Sequence, residues 1–135
     1  MRIGSVLAAM AALAAPLPAS AQVVGLWMNP HGSVAVRTGP CGDKLCGWVA
    51  WASAEAQSDA REGGGGPLIG TELLQDYRPN GGGSWSGTVF VPDMNRRFSS
   101  RIDTVAPDKL RVKGCILGGL ICKSQMWTRI EKLPA

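Results

Sequence analysis

The chain has 135 residues, 45% of them hydrophobic and 18% charged, with a formal net charge of +4 from 14 basic and 10 acidic side chains. That length holds one domain with a modest core, and past the N-terminal leader no apolar run is long enough to cross a bilayer as a helix. The basic excess is mild; in an exported chain it speaks for solubility or for anionic envelope surfaces, not for nucleic acid. The leader itself is the opening stretch MRIGSVLAAMAALAAPLPASAQ. Arg2 precedes an apolar run from Val6 to Ala15, and Ala19, Ser20 and Ala21 supply the small residues of a signal-peptide cleavage site. The run is too short to span a membrane, and Pro16 and Pro18 interrupt it. Residues 1–21 are expected to be removed, leaving residues 22–135 as a single periplasmic or secreted domain.

Eight strand-like stretches follow at short spacing: 23–29, 33–38, 45–51, 67–74, 84–91, 96–103, 109–114 and 121–130. Turn formers separate them, among them NPHG, RPNGGG, PDMN and APD. Alternation is clearest where Trp85, Gly87, Val89 and Val91 alternate with Ser84, Ser86 and Thr88, and where Phe98, Ser100 and Ile102 alternate with Ser99, Arg101 and Asp103. Segment 53–61 allows one helical turn and then meets Gly63 to Gly66, which reads as a flexible loop or lid on a slack linker. Eight short strands joined mostly by tight turns predict an all-β fold: a small antiparallel up-and-down barrel, which hides every sheet edge, with a sandwich as the alternative.

In an oxidising compartment an even number of cysteines means disulfides. The spacings C-x₄-C and C-x₆-C fit neither a zinc knuckle nor a thioredoxin-like C-x-x-C. Of the three connectivities, Cys41–Cys46 and Cys115–Cys122 are favoured because each pair brackets a glycine-containing turn. No metal site and no cofactor are expected. The stretch PCGDKLCGWVAW then becomes a clipped turn leading into a strand, with one of Trp48 and Trp51 expected inside and the other outside.

His31, the one histidine, lies in NPHG, where a turn residue suffices and no triad partners are singled out. GGGG at 63–66 lacks the lysine and hydroxyl of a phosphate loop. The acidic residues are scattered, so no catalytic residues are assigned. Five tryptophans stand out instead, Trp27, Trp48, Trp51, Trp85 and Trp127. They can fill the core, or line the cavity that an eight-stranded barrel has room for.

Gly25-Leu26-Trp27 in the first strand and Trp127-Thr128-Arg129 in the last resemble the lipocalin/calycin pattern, in which a G-x-W tryptophan packs beneath a basic residue from the end of the barrel. Longer segments carry a narrower resemblance: GLW at 25–27, CGDKLCGWVAW at 41–51, RPNGGGSWSGTVFVPDMNRRFSSRI at 78–102 and LRVKGCILGGLICKSQMWTR at 110–129. Together they are similar to the exported bacterial family known as domain of unknown function 2147, with a departure at 54–66, which is richer in glycine here. The resemblance implies a lipocalin-like barrel closed by Trp27 and Arg129, the guanidinium gaining cation–π energy over the indole and bonding strand-end carbonyls. It brings no catalytic residues.

Three functions follow as expectations. In the first, the barrel binds a small apolar or amphipathic molecule, lined by Trp85, Val89, Phe98, Leu110 and Val112. In the second, a filled barrel contacts an anionic envelope component, a lipid or polyanion, through an exposed tryptophan and Arg96, Arg97 and Arg101. A hydrolase ranks last.

Overall fold

Residue alternation becomes an inside and an outside. In the computed structural model, which describes Gly4 and residues 22–135, eight antiparallel strands bond each to the next and the last to the first. In chain order they are β1 (Gly25–Met28), β2 (Val34–Cys41), β3 (Lys44–Ala52), β4 (Glu72–Gly81), β5 (Ser84–Val91), β6 (Arg96–Ala106), β7 (Lys109–Ile116) and β8 (Ile121–Ile130), with helix α1 (Ala54–Glu62) between β3 and β4. The result is the closed up-and-down barrel expected. The expected signal peptide lies outside the described residues, Gly4 apart.

Cross-strand register stacks the interior residues. Trp85 faces Ile102, Gly87 faces Ser100 and Val89 faces Phe98 between β5 and β6. Ile102 in turn faces Val112, and Ser100 faces Gly114, between β6 and β7. Short turns at 42–43, 82–83 and 107–108 gather at one end of the barrel, and the longer connections at the other. At the short-turn end Gly82 and Gly83 both hold positive φ, 63° and 77°, the pair of values a two-residue type I′ hairpin requires. That end is packed solid by Trp27, Tyr77, Trp85, Ile102 and Leu110, all buried. Each large side chain so buried contributes roughly 1.5–3 kcal/mol by leaving water.

Three local expectations are corrected. The fourth strand runs over 72–81, not 67–74. Residues 67–71 instead turn against β3, with Gly70 donating to the Val49 carbonyl (2.8 Å) and Val49 donating to the Thr71 carbonyl (2.9 Å). The RPNG stretch stays in the ladder, where Pro79 sits opposite Trp85 beside a register shift that accommodates its missing N–H. The second correction concerns the paired tryptophans. A bulge shifts the β2–β3 register so that Val36 faces Val49 but Ala35 faces Trp51. Trp51 therefore lies on the outer face with Trp48, each half-buried, and neither joins the core.

The third is the lid. Segment 54–62 is a nine-residue helix, α1, whose first turn is capped by the Ser53 hydroxyl accepting from the Ala56 N–H (3.1 Å). Nor are the glycines after it slack. A Cβ on Gly63 would overlap the backbone of Asp93, and one on Gly65 would crowd that of Pro92. They are glycine because the helix end is pressed against the β5–β6 turn.

Candidate functional site

Closure of the packed end is built around one arginine. Trp27 and Arg129 are cross-strand partners where β1 meets β8, and the guanidinium carbon lies 4.2 Å from the centre of the buried indole. The Arg129 fork donates to the carbonyls of Pro107 (3.0 Å), Val24 (2.9 Å) and Gln22, tying the β6–β7 turn and the stretch leading into β1 to the end of β8. A Cβ on Gly25 would collide with Arg129 Nη1, which explains the glycine of G-x-W. Below the arginine the Trp27 indole N–H donates to the Val23 carbonyl (3.1 Å) and to Thr38 Oγ1 (3.2 Å). The Thr38 hydroxyl also donates to the Val23 carbonyl (2.5 Å) and accepts from the Gly25 N–H (3.0 Å). Thr38 is buried and joins β1 to β2. Sequence reasoning missed it, because a threonine in a strand is ordinary.

The other end is open. A cavity of about 840 Å³ enters the barrel there, walled by Val89, Phe98 and Val112 of the expected lining, together with Leu73, Gly114 and Trp127. Trp85 and Leu110 are not among its lining residues; they lie toward the packed end, Trp85 two inward positions below Val89 on β5 and Leu110 one below Val112 on β7. β8 contributes Ile121, Lys123, Gln125 and Trp127 to the wall. That alternation was visible in the sequence, but two polar residues on the inner face disguised it. β1 pairs with β8 only at 128–130, so along 121–127 no described strand covers that side and the cavity opens laterally. His31, in the β1–β2 turn, stands at this mouth with Asn29 and Ser33. α1 roofs the opening, turning Ala56 inward and setting Glu55 and Asp59 at the rim. The site thus has an apolar wall and a polar rim, suited to an apolar body whose polar end stays near water.

Three buried polar atoms mark the boundary between cavity and packed end: the Tyr77 hydroxyl, the Ser100 hydroxyl and the Trp85 indole N–H, none with a well-formed hydrogen bond in the protein. Ser100 has glycine on both neighbouring strands, Gly87 and Gly114. The Tyr77 ring lies on Gly87, where a Cβ would clash. Burial pushes the Tyr77 phenol far above its ordinary value, and the neighbouring Ser100 hydroxyl draws it back only in part. The four cysteines are paired as Cys41–Cys46 and Cys115–Cys122, the first at the packed end and the second at the open end. Among the described residues no group of His, Cys, Asp and Glu is placed to hold a metal, and no helix is long and apolar enough to cross a membrane.

Comparison with known proteins agrees with this architecture. The family model described as "Uncharacterized protein conserved in bacteria (DUF2147)" matches residues 25–129. A solved structure from Helicobacter pylori, described as belonging to the lipocalin family, superposes with a TM-score of 0.62 at 12% identity, covering 80% of this chain and 82% of that one. At that identity the likeness is one of fold. No curated protein is significantly similar in sequence.

Proposed function

The chain belongs to the DUF2147 family of bacterial proteins, and from that premise we propose that it is an exported barrel that binds a small apolar or amphipathic molecule in its open end. The observation that carries the reading is the cavity of about 840 Å³, well above the roughly 300 Å³ at which ligand pockets begin. Its apolar wall supplies affinity by burial, and the polar rim, with Lys123 on one side and Glu55 and Asp59 on the other, leaves room for a hydrated end group. Fatty-acid-sized chains match this division. Two disulfides support an extracytoplasmic setting, and N-terminal sequencing of the exported protein is expected to begin at Gln22.

Palmitate is the probe. Trp127 lines the wall, so tryptophan fluorescence is expected to quench saturably and to change little with moderate salt, since apolar burial is weakly screened. Gly114→Leu projects a side chain from β7 toward Val89, whose Cγ1 lies 3.4 Å from where the first added carbon would sit. It is expected to weaken binding at least tenfold, whereas Trp85→Phe at the packed end leaves affinity within a few-fold. No quenching, or equal effects of the two substitutions, would overturn the reading.

A further inference from the structure

The β7–β8 hairpin carries its apolar residues where no core can use them. Leu117 is 67% and Leu120 84% exposed, flanked by Ile116 and Ile121 at 39% and 51%. A soluble domain rarely leaves four neighbouring aliphatic side chains in water without a use for them. Nor is the tip a slack loop. Cys115–Cys122 staples the strands just below it, and Ile116 pairs with Ile121 across the ladder. Leu117 holds a left-handed φ of 53°, a conformation that costs a leucine energy and that the adjoining Gly118 and Gly119 adopt freely. Here the chain has put a leucine in a glycine's place, and burial gives nothing back.

Charge surrounds this tip on one side. A groove on the outer face of β6 and β7, running up to Leu117, is walled by Arg96, Arg97, Arg101 and Lys113, and no carboxylate lines it. Arg97 stacks on Phe90 and donates to Gln75, while Arg96 lies over Phe98, so both guanidinium groups are held in place. Arg101 is partly neutralised by Asp103 at 3.0 Å. The acidic rim residues Glu55, Asp59 and Asp93 belong to α1 and the β5–β6 turn. The open end is therefore polarised, with an apolar point and cations together on the β6–β8 side. Apolar surface also runs without a break from the tip into the cavity, because Ile116 and Ile121 line both.

We propose that the β7–β8 hairpin docks the barrel on an anionic phospholipid bilayer, Leu117 and Leu120 entering the acyl boundary while Arg96, Arg97, Arg101 and Lys113 meet the phosphates. Apolar residues set in a basic surround are the chemistry of an interfacial anchor: burial supplies the attachment and anionic headgroups add to it. Docked this way, the cavity mouth faces the lipid. That a lipid chain would then enter the cavity rests on the ligand reading above; the docking does not.

The test is flotation of the purified protein with vesicles of phosphatidylethanolamine and phosphatidylglycerol, against vesicles of phosphatidylcholine alone. Preference for the anionic vesicles, falling steeply with salt, is expected. The double variant Leu117→Ser/Leu120→Ser is expected to lose at least tenfold in binding with its near-ultraviolet spectrum unchanged, since neither side chain supports the core. Arg96→Gln/Arg97→Gln/Arg101→Gln is expected to lose the preference for anionic lipid and most of the salt dependence. Equal binding by the leucine variant, or no preference for anionic vesicles, overturns the proposal. So does a tip-dependent dimer that forms without lipid, which would assign the patch to a second copy of the chain. Palmitate quenching is read separately without vesicles, so the cavity reading and the docking fail independently.

Discussion

Arg129 shows how much one side chain can hold. Its fork holds three carbonyls from two chain segments and its plane covers an indole, so a lysine keeps the charge but loses the fork and the stacking. Arg129→Lys is expected to cost about 2–3 kcal/mol in urea unfolding, from the lost charged hydrogen bonds and stacking together. Tyr77 gives a second test at this scale, and it is the one tyrosine in the chain, so its ionisation can be followed spectroscopically. Its phenol keeps its proton in the folded state far above the ordinary tyrosine value of about 10, whereas the unfolded chain releases it there. Stability from this group is whole below that pH and is lost as pH rises, by about 1.4 kcal/mol for each pH unit above 10. Tyr77→Phe is expected to remove that slope, and at neutral pH to be neutral or slightly stabilising, because its buried hydroxyl makes no well-formed hydrogen bond to lose. Trp27 and Arg129 were legible because a motif names them. Tyr77 and Thr38 were not, since their importance lies in which atoms surround them.

Among the elements, α1 departs most from what its sequence suggested. SAEAQSDAR is short for a free helix, and the four glycines after it suggested slack. What orders the segment is tertiary: the Ser53 cap, the buried Ala60 and the close approach of Gly63 to Asp93. Gly63→Ala is expected to lift the helix end from the β5–β6 turn at a cost of about 1–3 kcal/mol. Hydrogen exchange checks it: amides of 57–65 should lose protection while those of β5 and β6 keep theirs. The clipped hairpins were easier to read, because cysteines around a turn declare a local bridge. Reducing both bridges is expected to cost roughly 2–2.5 kcal/mol each without unfolding the barrel, measurable by denaturation with and without reductant. The bulge that turns Trp51 outward was not legible, because nothing in CGWVAW marks where a ladder slips.

For the whole molecule, alternation and turn chemistry were enough to reach a closed eight-stranded barrel, but not to say which layers of it are filled. Periodicity of two separates inside from outside. It carries no information on height along the barrel axis, which depends on how neighbouring strands are offset. Val112 and Leu110 look alike in sequence, two residues apart on one face; one walls the cavity and the other lies in the packed end. Phe98 and Trp85 divide in the same way.

The seam between β1 and β8 has a consequence for how the chain becomes a protein. Every other strand pair joins neighbours in sequence and can form hairpin by hairpin, while Arg129 reaches Val24 across 105 residues. Contacts of that separation form late, because the chain between them must be ordered first. Until the β1–β8 seam closes, the folding chain is a sheet with two raw margins, able to pair with any strand it meets. Sealing therefore comes last, and the margins stay open to wrong partners until β8 docks on β1.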